Sequence, residues 1–209
     1  MRLTRLILLT ILVFGLAGCL ANTGDGPSPT PQLPSESAQP KTSDIASAPA
    51  TSSKAYSPAT EDSPAKNVPV PDLPSAAEQG TKDGAAAFAK HYFKVINYTV
   101  ESNDTKPLKK LTSRECQVCG ETLIDPADRS ARNGTWRVGG LHHADIMDSY
   151  MSDKDKAVVT LTFSAEAGYM YNESRDKPEK FDATKSTVVS MGLEYDKGWK
   201  VYTALFGAD

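Results

Sequence analysis

The apolar positions of this chain repeat first with the period of a helix and later with that of a strand. The helical stripe places five residues at i, i+4, i+7, i+8 and i+11: Phe88, Tyr92, Val95, Ile96 and Thr99. This spacing predicts a helix from about Asp83 to Glu101, with Asp83 as its N-cap. The polar residues Ser102, Asn103 and Asp104 follow and end the helix.

Two shorter helices are predicted after the first. One runs from Thr105 to Leu111 and tolerates Pro107 in its first turn. The other lies within the stretch from Cys119 to Arg132, where Pro126 forces a start, a kink or a break. We therefore expect this third helix to be short and to end at Asn133-Gly134.

From residue 136 the apolar period changes to two. One strand face carries Trp136, Val138, His142, Ala144 and Ile146, with a bend at Gly139-Gly140, and a second carries Val159, Leu161, Phe163 and Ala165. A third face carries Val189, Met191, Leu193 and Tyr195, and a fourth Trp199, Val201, Thr203 and Leu205. The last two strands join through Asp196-Lys197-Gly198, with Gly198 expected in the left-handed region. The second and third strands are expected to extend toward Tyr169-Met170-Tyr171 and Phe181.

These elements predict an α+β domain over residues 81–209, in which N-terminal helices pack on a curved four-stranded antiparallel sheet. Residues 20–80 have a different composition, with 11 of the chain's 14 prolines and Tyr56 as the only aromatic residue. Such a segment buries too little apolar surface to offset the entropy of ordering it. It is predicted to be a disordered Pro/Ser/Thr-rich tether.

The first 18 residues have the pattern of an export signal: Arg2 and Arg5 precede an apolar run from Leu6 to Leu16. That run is too short for a membrane-spanning helix, which needs about 20 apolar residues. Leu16-Ala17-Gly18-Cys19 resembles the lipobox of bacterial lipoproteins at all four positions. The resemblance implies that Cys19 is acylated and anchors the protein to the extracytoplasmic face of the cell membrane. The competing interpretation is an ordinary secretory signal with an incidental cysteine.

The order of helices and strands is similar to the cystatin-like cone of nuclear transport factor two and ketosteroid isomerase. A second resemblance is to lipoproteins of high-GC Gram-positive bacteria that share a domain of unknown function. It is carried by four stretches: Ala87-Phe88-Ala89-Lys90-His91-Tyr92, Ile96-Asn97-Tyr98, Asn103-Asp104-Thr105-Lys106-Pro107-Leu108 and Cys116-Gln117-Val118-Cys119. The first resemblance implies a fold only, and the second implies a fold and a lipoprotein but no activity.

Cys116 and Cys119 form a CxxC pair that is compatible with a redox dithiol, half of a zinc site or a structural disulfide. A redox pair of the thioredoxin kind follows a strand, whereas this pair follows helices. Structural zinc needs four ligands, and adjacent His142 and His143 point to opposite faces of a strand. In an exported domain with Cys19 acylated we favour a disulfide, and we expect no metal and no cofactor.

An acid-base enzyme in a cone fold needs an ionisable group aimed into the pocket. His142 is the best candidate, with Tyr92 and Trp136 as further pocket residues, although a histidine on an apolar face is more often structural. His91 follows Lys90 and is expected to be solvated. The charges from Thr81 onward, 18 basic and 19 acidic, form no basic stripe, so nucleic acid is not expected as a partner.

Three functions follow from these observations. The first is a non-catalytic, lipid-anchored binding module whose partner is a cell-envelope protein, a wall polymer or a small apolar ligand. The second is a cone-fold enzyme of the isomerase or cyclase type acting on a small apolar molecule, and the third is a CxxC redox protein. We favour the first, because the sequence carries no catalytic constellation that we recognise.

Overall fold

The computed structural model describes residues 54–174 and 177–207. The predicted signal peptide, the lipobox with Cys19 and the tether as far as residue 53 lie outside the described residues. Within them, the α+β class is confirmed: helices come first and antiparallel sheets follow.

Helix α1 spans Lys82–Ser102 and turns its apolar stripe toward the core. Its N-cap is Thr81, whose Oγ1 accepts a hydrogen bond from the Gly84 N–H at 3.1 Å. The predicted N-cap, Asp83, lies instead within the first turn, where its charge still suits the positive end of the helix dipole. Asn103 ends the helix in the left-handed region at φ 56°, a conformation that Asn tolerates.

The third helical stretch is longer than expected. After α2 (Lys106–Lys110), the chain runs without a break through α3 (Gln117–Cys119), a π-helical turn (Gly120–Ile124) and α4 (Asp125–Asn133). The expectation of a short helix was wrong because Pro126 occupies the first turn of α4, directly after the π-helical turn. Such turns occur where the regular hydrogen-bond ladder of a helix is interrupted. Helix α4 ends at Asn133 and Gly134, as predicted, and Gly134 takes the left-handed conformation.

The main sheet has four antiparallel strands in the order β2-β3-β6-β7. These strands are β2 (His142–Asp153), β3 (Lys156–Ala165), β6 (Thr187–Tyr195) and β7 (Trp199–Phe206). The prediction of a four-stranded antiparallel sheet is confirmed. Its hairpin loop differs in one detail, because Lys197 takes the left-handed conformation (φ 57°) and Gly198 has φ 150°.

A second sheet was not predicted. Its strands are β1 (Trp136–Gly139), β4 (Gly168–Tyr171) and β5 (Glu179–Phe181), in the order β1-β4-β5. The predicted first strand divides at Gly139-Gly140, where both glycines have positive φ (79° and 76°). A Cβ at Gly139 would lie 2.6 Å from the Ala167 carbonyl oxygen, so only glycine fits there. The segment around Tyr169 and Phe181 therefore pairs with β1 and does not extend β3 and β6.

The core lies between α1 and one face of the main sheet. Its fully buried side chains come from both layers: Phe88, Tyr92 and Val95 from α1, Leu108 from α2, and Val159, Leu161, Met191, Leu193 and Val201 from the sheet. The alternation along β3 is regular, with Ala157, Val159 and Leu161 buried and the residues between them partly exposed. The apolar residues that repeat with the helical period and those that repeat with the strand period thus pack into one core.

The segment from residue 54 to 80, hereafter the strap, packs on the domain, so the predicted boundary at residue 81 lies too late. It carries a 3₁₀-helix (Ser75–Glu78) with Ala77 buried, and Ser57 pairs with Lys66 through main-chain hydrogen bonds. The domain also supplies donors to strap carbonyls: Trp136 Nε1–H to Thr60 O at 2.7 Å, and Trp199 Nε1–H to Gln79 O at 2.8 Å. The amino-acid composition of the strap does not show that it is ordered, because the residues that it contacts lie far away in the sequence.

Candidate functional site

A small cavity of about 60 Å³, hereafter the cleft, lies between α1, the helical segment 118–123 and the inner face of the main sheet. It opens beside Phe206, whose side chain is 52 % exposed. The residues lining it are almost all apolar or aromatic: Tyr92, Phe93, Ile96, Val118, Cys119, Thr122, Leu123, His142, Phe163, Val189, Met191, Val201, Ala204 and Phe206. The cleft can therefore take an apolar group.

His142 reaches the cleft because its main chain is clamped to α1. The Asn97 side chain donates from Nδ2 to the His142 carbonyl at 2.9 Å and accepts the His142 N–H at 2.7 Å. The imidazole stacks on the Phe163 ring, with 5.3 Å between centroids, and its buried Nδ1 has no hydrogen-bond partner among the described residues. Burial, with smaller contributions from Arg137 and His143, lowers the pKa of His142 to about 4. The ring is neutral at physiological pH.

Tyr92 also lines the cleft, and its hydroxyl already forms a hydrogen bond. Its oxygen is 3.0 Å from Thr112 Oγ1, and the Thr112 hydroxyl in turn donates to the Leu108 carbonyl. Burial raises the pKa of Tyr92 to about 12, which keeps its hydroxyl protonated. The structure thus brings two of the three predicted pocket residues, His142 and Tyr92, to the same cavity.

Trp136, the third predicted pocket residue, does not line the cleft. Its ring is buried in the second sheet and stacks on Tyr171, with 6.2 Å between centroids. It borders a separate cavity of about 500 Å³ with Asp62 and Asn103. The reason is the break at Gly139-Gly140, which moves Trp136 into a different sheet from His142.

The predicted disulfide is present. Cys116 and Cys119 are bonded with their Cα atoms 5.3 Å apart, and their side chains are only 3 % and 2 % exposed. The Gly120 N–H donates to the Cys116 carbonyl at 3.1 Å and continues the turn into the π-helix. Since Cys119 lines the cleft and its neighbours Val118 and Leu123 do too, the disulfide fixes one wall of this cavity.

His91 is buried, with 4 % of its surface exposed, although it was expected to be solvated. Burial lowers its pKa, Lys94 lowers it further, and Asp72 on the strap acts in the opposite direction. The burial of His91 was not predicted, because residues 54–80 were expected to be disordered and no contact between them and α1 was expected.

Asn97, the residue that positions His142, was not predicted from the sequence. It follows Ile96 directly and stands outside the apolar stripe, so its only sequence signal is an amide at the margin of a buried helix face. In the described ranges, no group of three or more His, Cys, Asp or Glu side chains is arranged to hold a metal ion. No helix in these ranges is long and apolar enough to cross a membrane.

Comparison with solved structures finds a similarity to a protein titled the crystal structure of the intermembrane space region of chloroplast protein ARC6. That similarity has 11 % sequence identity and a TM-score of 0.40, and it covers 61 % of this chain and 97 % of that one. No curated protein matches the sequence. The family of unknown function DUF6318 matches residues 54–204, which include the strap and nearly all of the two sheets. Because this match extends over well more than half of the sequence, the chain belongs to the DUF6318 family.

Proposed function

We propose that this protein is a lipoprotein anchored on the extracytoplasmic face of the cell membrane, and that its domain is a non-catalytic module binding an apolar group of a partner in the cleft. The observation that carries the binding proposal is the cleft itself, which is partly open and lined almost entirely by apolar side chains. Open apolar cavities with few polar groups are the usual form of binding sites.

The dimensions of the cleft favour binding over an isomerase or cyclase. Sites for whole small molecules measure about 300 Å³ or more, whereas this cavity measures about 60 Å³. That volume suits one aliphatic side chain or a similar small group. General acid-base catalysis works best with a pKa near the operating pH, while His142 has a pKa of about 4 and Tyr92 of about 12.

The redox alternative is disfavoured by access to the sulfur atoms. Thiol-disulfide exchange requires a thiolate to reach one sulfur of the bond. Both cysteines are almost completely buried, and their disulfide is part of the cleft wall. These contacts favour a structural role for the bond.

The anchor proposal rests on Leu16-Ala17-Gly18-Cys19, which lies outside the described residues. Residues 20–53 would join the anchored cysteine to the strap at Lys54. A flexible chain of this length has an r.m.s. span of about 30 to 35 Å. A tether of that reach would hold the domain close to the membrane or within the first layers of a wall.

The anchor is tested by expressing the full-length chain in a bacterium that processes lipoproteins, with a labelled fatty acid in the medium. We expect the wild-type protein to incorporate the label and to sediment with membranes, and Cys19→Ser to do neither. The Cys116→Ser/Cys119→Ser double variant is the matched control and should keep both properties. A Cys19→Ser protein that stays in the membrane fraction would refute the anchor.

Binding in the cleft is tested by filling it. Ala204→Leu adds three carbon atoms inside the cavity, whereas Ala183→Leu makes the same change at an exposed loop position. After cross-linking on intact cells, we expect the adducts of the wild-type protein to persist in Ala183→Leu and to disappear in Ala204→Leu. Identical adducts in all three proteins would show that the cleft is not the binding site.

A further inference from the structure

Strand β7 is the last strand of the main sheet, and its outer edge is only partly paired. At Val201 the edge is occupied by the chain itself: the Val201 N–H donates to the Leu111 carbonyl at 3.0 Å, and the Ser113 N–H donates to the Val201 carbonyl at 2.8 Å. This contact is a parallel bridge between Thr112 and Val201. The outer edge of β7 therefore already accepts a neighbouring extended segment.

Beyond Val201, the register shows which main-chain groups face outward. The Gly207 N–H donates to the Val188 carbonyl at 2.8 Å, and Leu205 and Thr203 lie opposite Ser190 and Gly192. In an antiparallel ladder, hydrogen-bonded and non-hydrogen-bonded pairs alternate. Residues 203, 205 and 207 therefore direct their main chain toward β6, whereas Ala204 and Phe206 direct theirs to the outer edge.

A bulge in β7 explains why Val201, which bridges to Thr112, and Ala204 both direct their main chain to the outer edge. The register shifts by one residue between Gly192 and Leu193, so Tyr202 is the extra residue of a bulge. Because of this shift, Val201 faces outward on one side of the bulge and Ala204 on the other. Among the described residues, no segment outside the main sheet hydrogen-bonds to these outward main-chain groups of Ala204 and Phe206.

The unpaired edge adjoins the cleft directly. Ala204 and Phe206 present their side chains to the cleft, and Leu205 between them is 65 % exposed on the other face. A strand laid beside β7 would continue the line of the Leu111–Ser113 segment. Its side chains alternate between faces, so one of them would stand over the cavity.

We propose that the outer edge of β7 from Thr203 to Phe206 is a β-augmentation site for an extended segment of a partner protein. The segment pairs with the main chain of Ala204 and Phe206 and inserts one small aliphatic side chain, of the size of valine, into the cleft. Main-chain hydrogen bonds supply affinity in this mode of recognition, and a pocket for an alternate side chain supplies specificity. This inference rests on the binding function proposed above and names its partner as an extended polypeptide.

The neighbourhood of the edge favours such a segment over a second copy of this chain. The helical segment 118–123 forms the cleft wall next to β7. In a pairing of two β7 edges, each copy would bring its own helical wall to the narrow space beside the other. A single extended chain brings no such wall to the edge of β7.

The test uses the full-length Cys19→Ser protein, labelled for NMR, and an acetylated and amidated peptide of alternating threonine and valine with lysine at both ends. Two control peptides have the same sequence with every second amide nitrogen methylated. In one the methyl groups block the first edge of the peptide strand, and in the other they block the second edge. With the unmethylated peptide at ~10 times its Kd, we expect hydrogen exchange at the Ala204 and Phe206 amides to slow about tenfold. At most one methylated version should have this effect, because an added strand uses one edge only.

Two proline variants test the register. Ala204→Pro removes an outward N–H and should abolish the protection at Phe206, whereas its Tm should fall less than that of Leu205→Pro, which loses an N–H directed at β6. Protection that is unchanged with both methylated peptides, or no response of Ala204 and Phe206 to the unmethylated peptide, would overturn the proposal. A concentration-dependent dimer that Ala204→Pro dissociates would also overturn it, in favour of a second copy.

The outcome separates this inference from the function on which it rests. If the peptide fails while Ala204→Leu still removes the cross-linked adducts on cells, the cleft binds a partner by another mode and only the edge proposal is wrong. If Ala204→Leu also leaves the adducts unchanged, the binding function itself fails.

Discussion

Hydrogen bonds to its main chain hold His142 in place, whereas its imidazole ring contributes to packing. Asn97 satisfies the His142 N–H and carbonyl, so the imidazole is free to pack on Phe163 as an aromatic side chain. The alternation of apolar residues along the strand correctly predicted that His142 lies on the face turned toward the cleft. The sequence did not reveal that the ring nitrogen Nδ1 is buried without a partner among the described residues, because that depends on packing against side chains of other elements, such as Phe163.

The neutral state of His142 makes stability depend on pH. The unfolded chain takes up a proton near pH 6.5, whereas the folded state resists protonation until about pH 4. Between these values the unfolded state binds more protons, so the free energy of unfolding falls as the pH decreases and levels off below about pH 4. The loss is about 1 to 3 kcal/mol at ~1.4 kcal/mol per pKa unit, reduced by the partial exposure of the ring.

His142→Phe should remove this component of the pH dependence. Urea unfolding at a series of pH values from 8 down to about 4 should give a smaller loss of stability for His142→Phe than for the wild type. Ala183→Leu, at an exposed loop position without an ionisable group, serves as the control. Parallel curves for His142→Phe and the wild type would mean that folding does not shift the pKa of His142.

Asn97→Ala should destabilise the domain by about 2 kcal/mol, because it removes two hydrogen bonds to a partly buried main chain at about 1 kcal/mol each. Gln117→Ala removes a single exposed side-chain bond to Glu121 and should cost much less. The comparison is made by urea unfolding at neutral pH. Equal effects of the two substitutions would show that the contact of Asn97 with β2 does not contribute to stability.

At the scale of elements, the positions of helices and strands were predictable where the apolar period is long. Helix α1 and the four main strands come from such stretches. The helical stretch from Gln117 to Asn133 was predicted too short, because Pro126 signals an interruption but not which kind. A π-helical turn allowed the chain to continue as helix through the proline. The second sheet escaped prediction because its strands, such as Glu179–Phe181, are too short to show a period.

The disulfide should stabilise the element that carries the cleft wall. For a loop of four residues, the chain-entropy relation gives about 2 kcal/mol. We therefore expect Cys116→Ser/Cys119→Ser to lower the free energy of unfolding by about this amount and to speed hydrogen exchange at Val118, Thr122 and Leu123. Exchange in β4, which belongs to the second sheet and contributes no residue to the cleft, provides the internal reference. Unchanged exchange along 118–123 would mean that packing alone fixes the wall.

For the whole molecule, the decisive contacts connect residues far apart in the sequence. The Tyr56 hydroxyl donates to Glu101 at 2.6 Å, and the Tyr195 hydroxyl donates to the Glu78 carbonyl at 2.7 Å. Low aromatic content and frequent proline correctly indicate that the strap has no core of its own. These properties do not indicate whether the rest of the domain supplies hydrogen-bond donors to the strap carbonyls. Here the indole N–H groups of Trp136 and Trp199 are such donors. The domain boundary could therefore not be predicted from amino-acid composition alone.

A fragment beginning at Thr81 should consequently be less stable than one beginning at Lys54. Its loss includes the acceptors of the Trp136 and Trp199 indole N–H groups and the burial of Ala77. At about 1 kcal/mol for each lost hydrogen bond, and ~2 to 4 °C for each kcal/mol in a domain of this size, the Tm should fall by at least about 5 °C. Calorimetry on the two fragments measures the difference, and a third fragment beginning at Val68 separates the contribution of Thr60 from that of Gln79. Equal melting temperatures for all three would place the boundary back at residue 81 and reduce the strap to a part of the tether that rests on the surface.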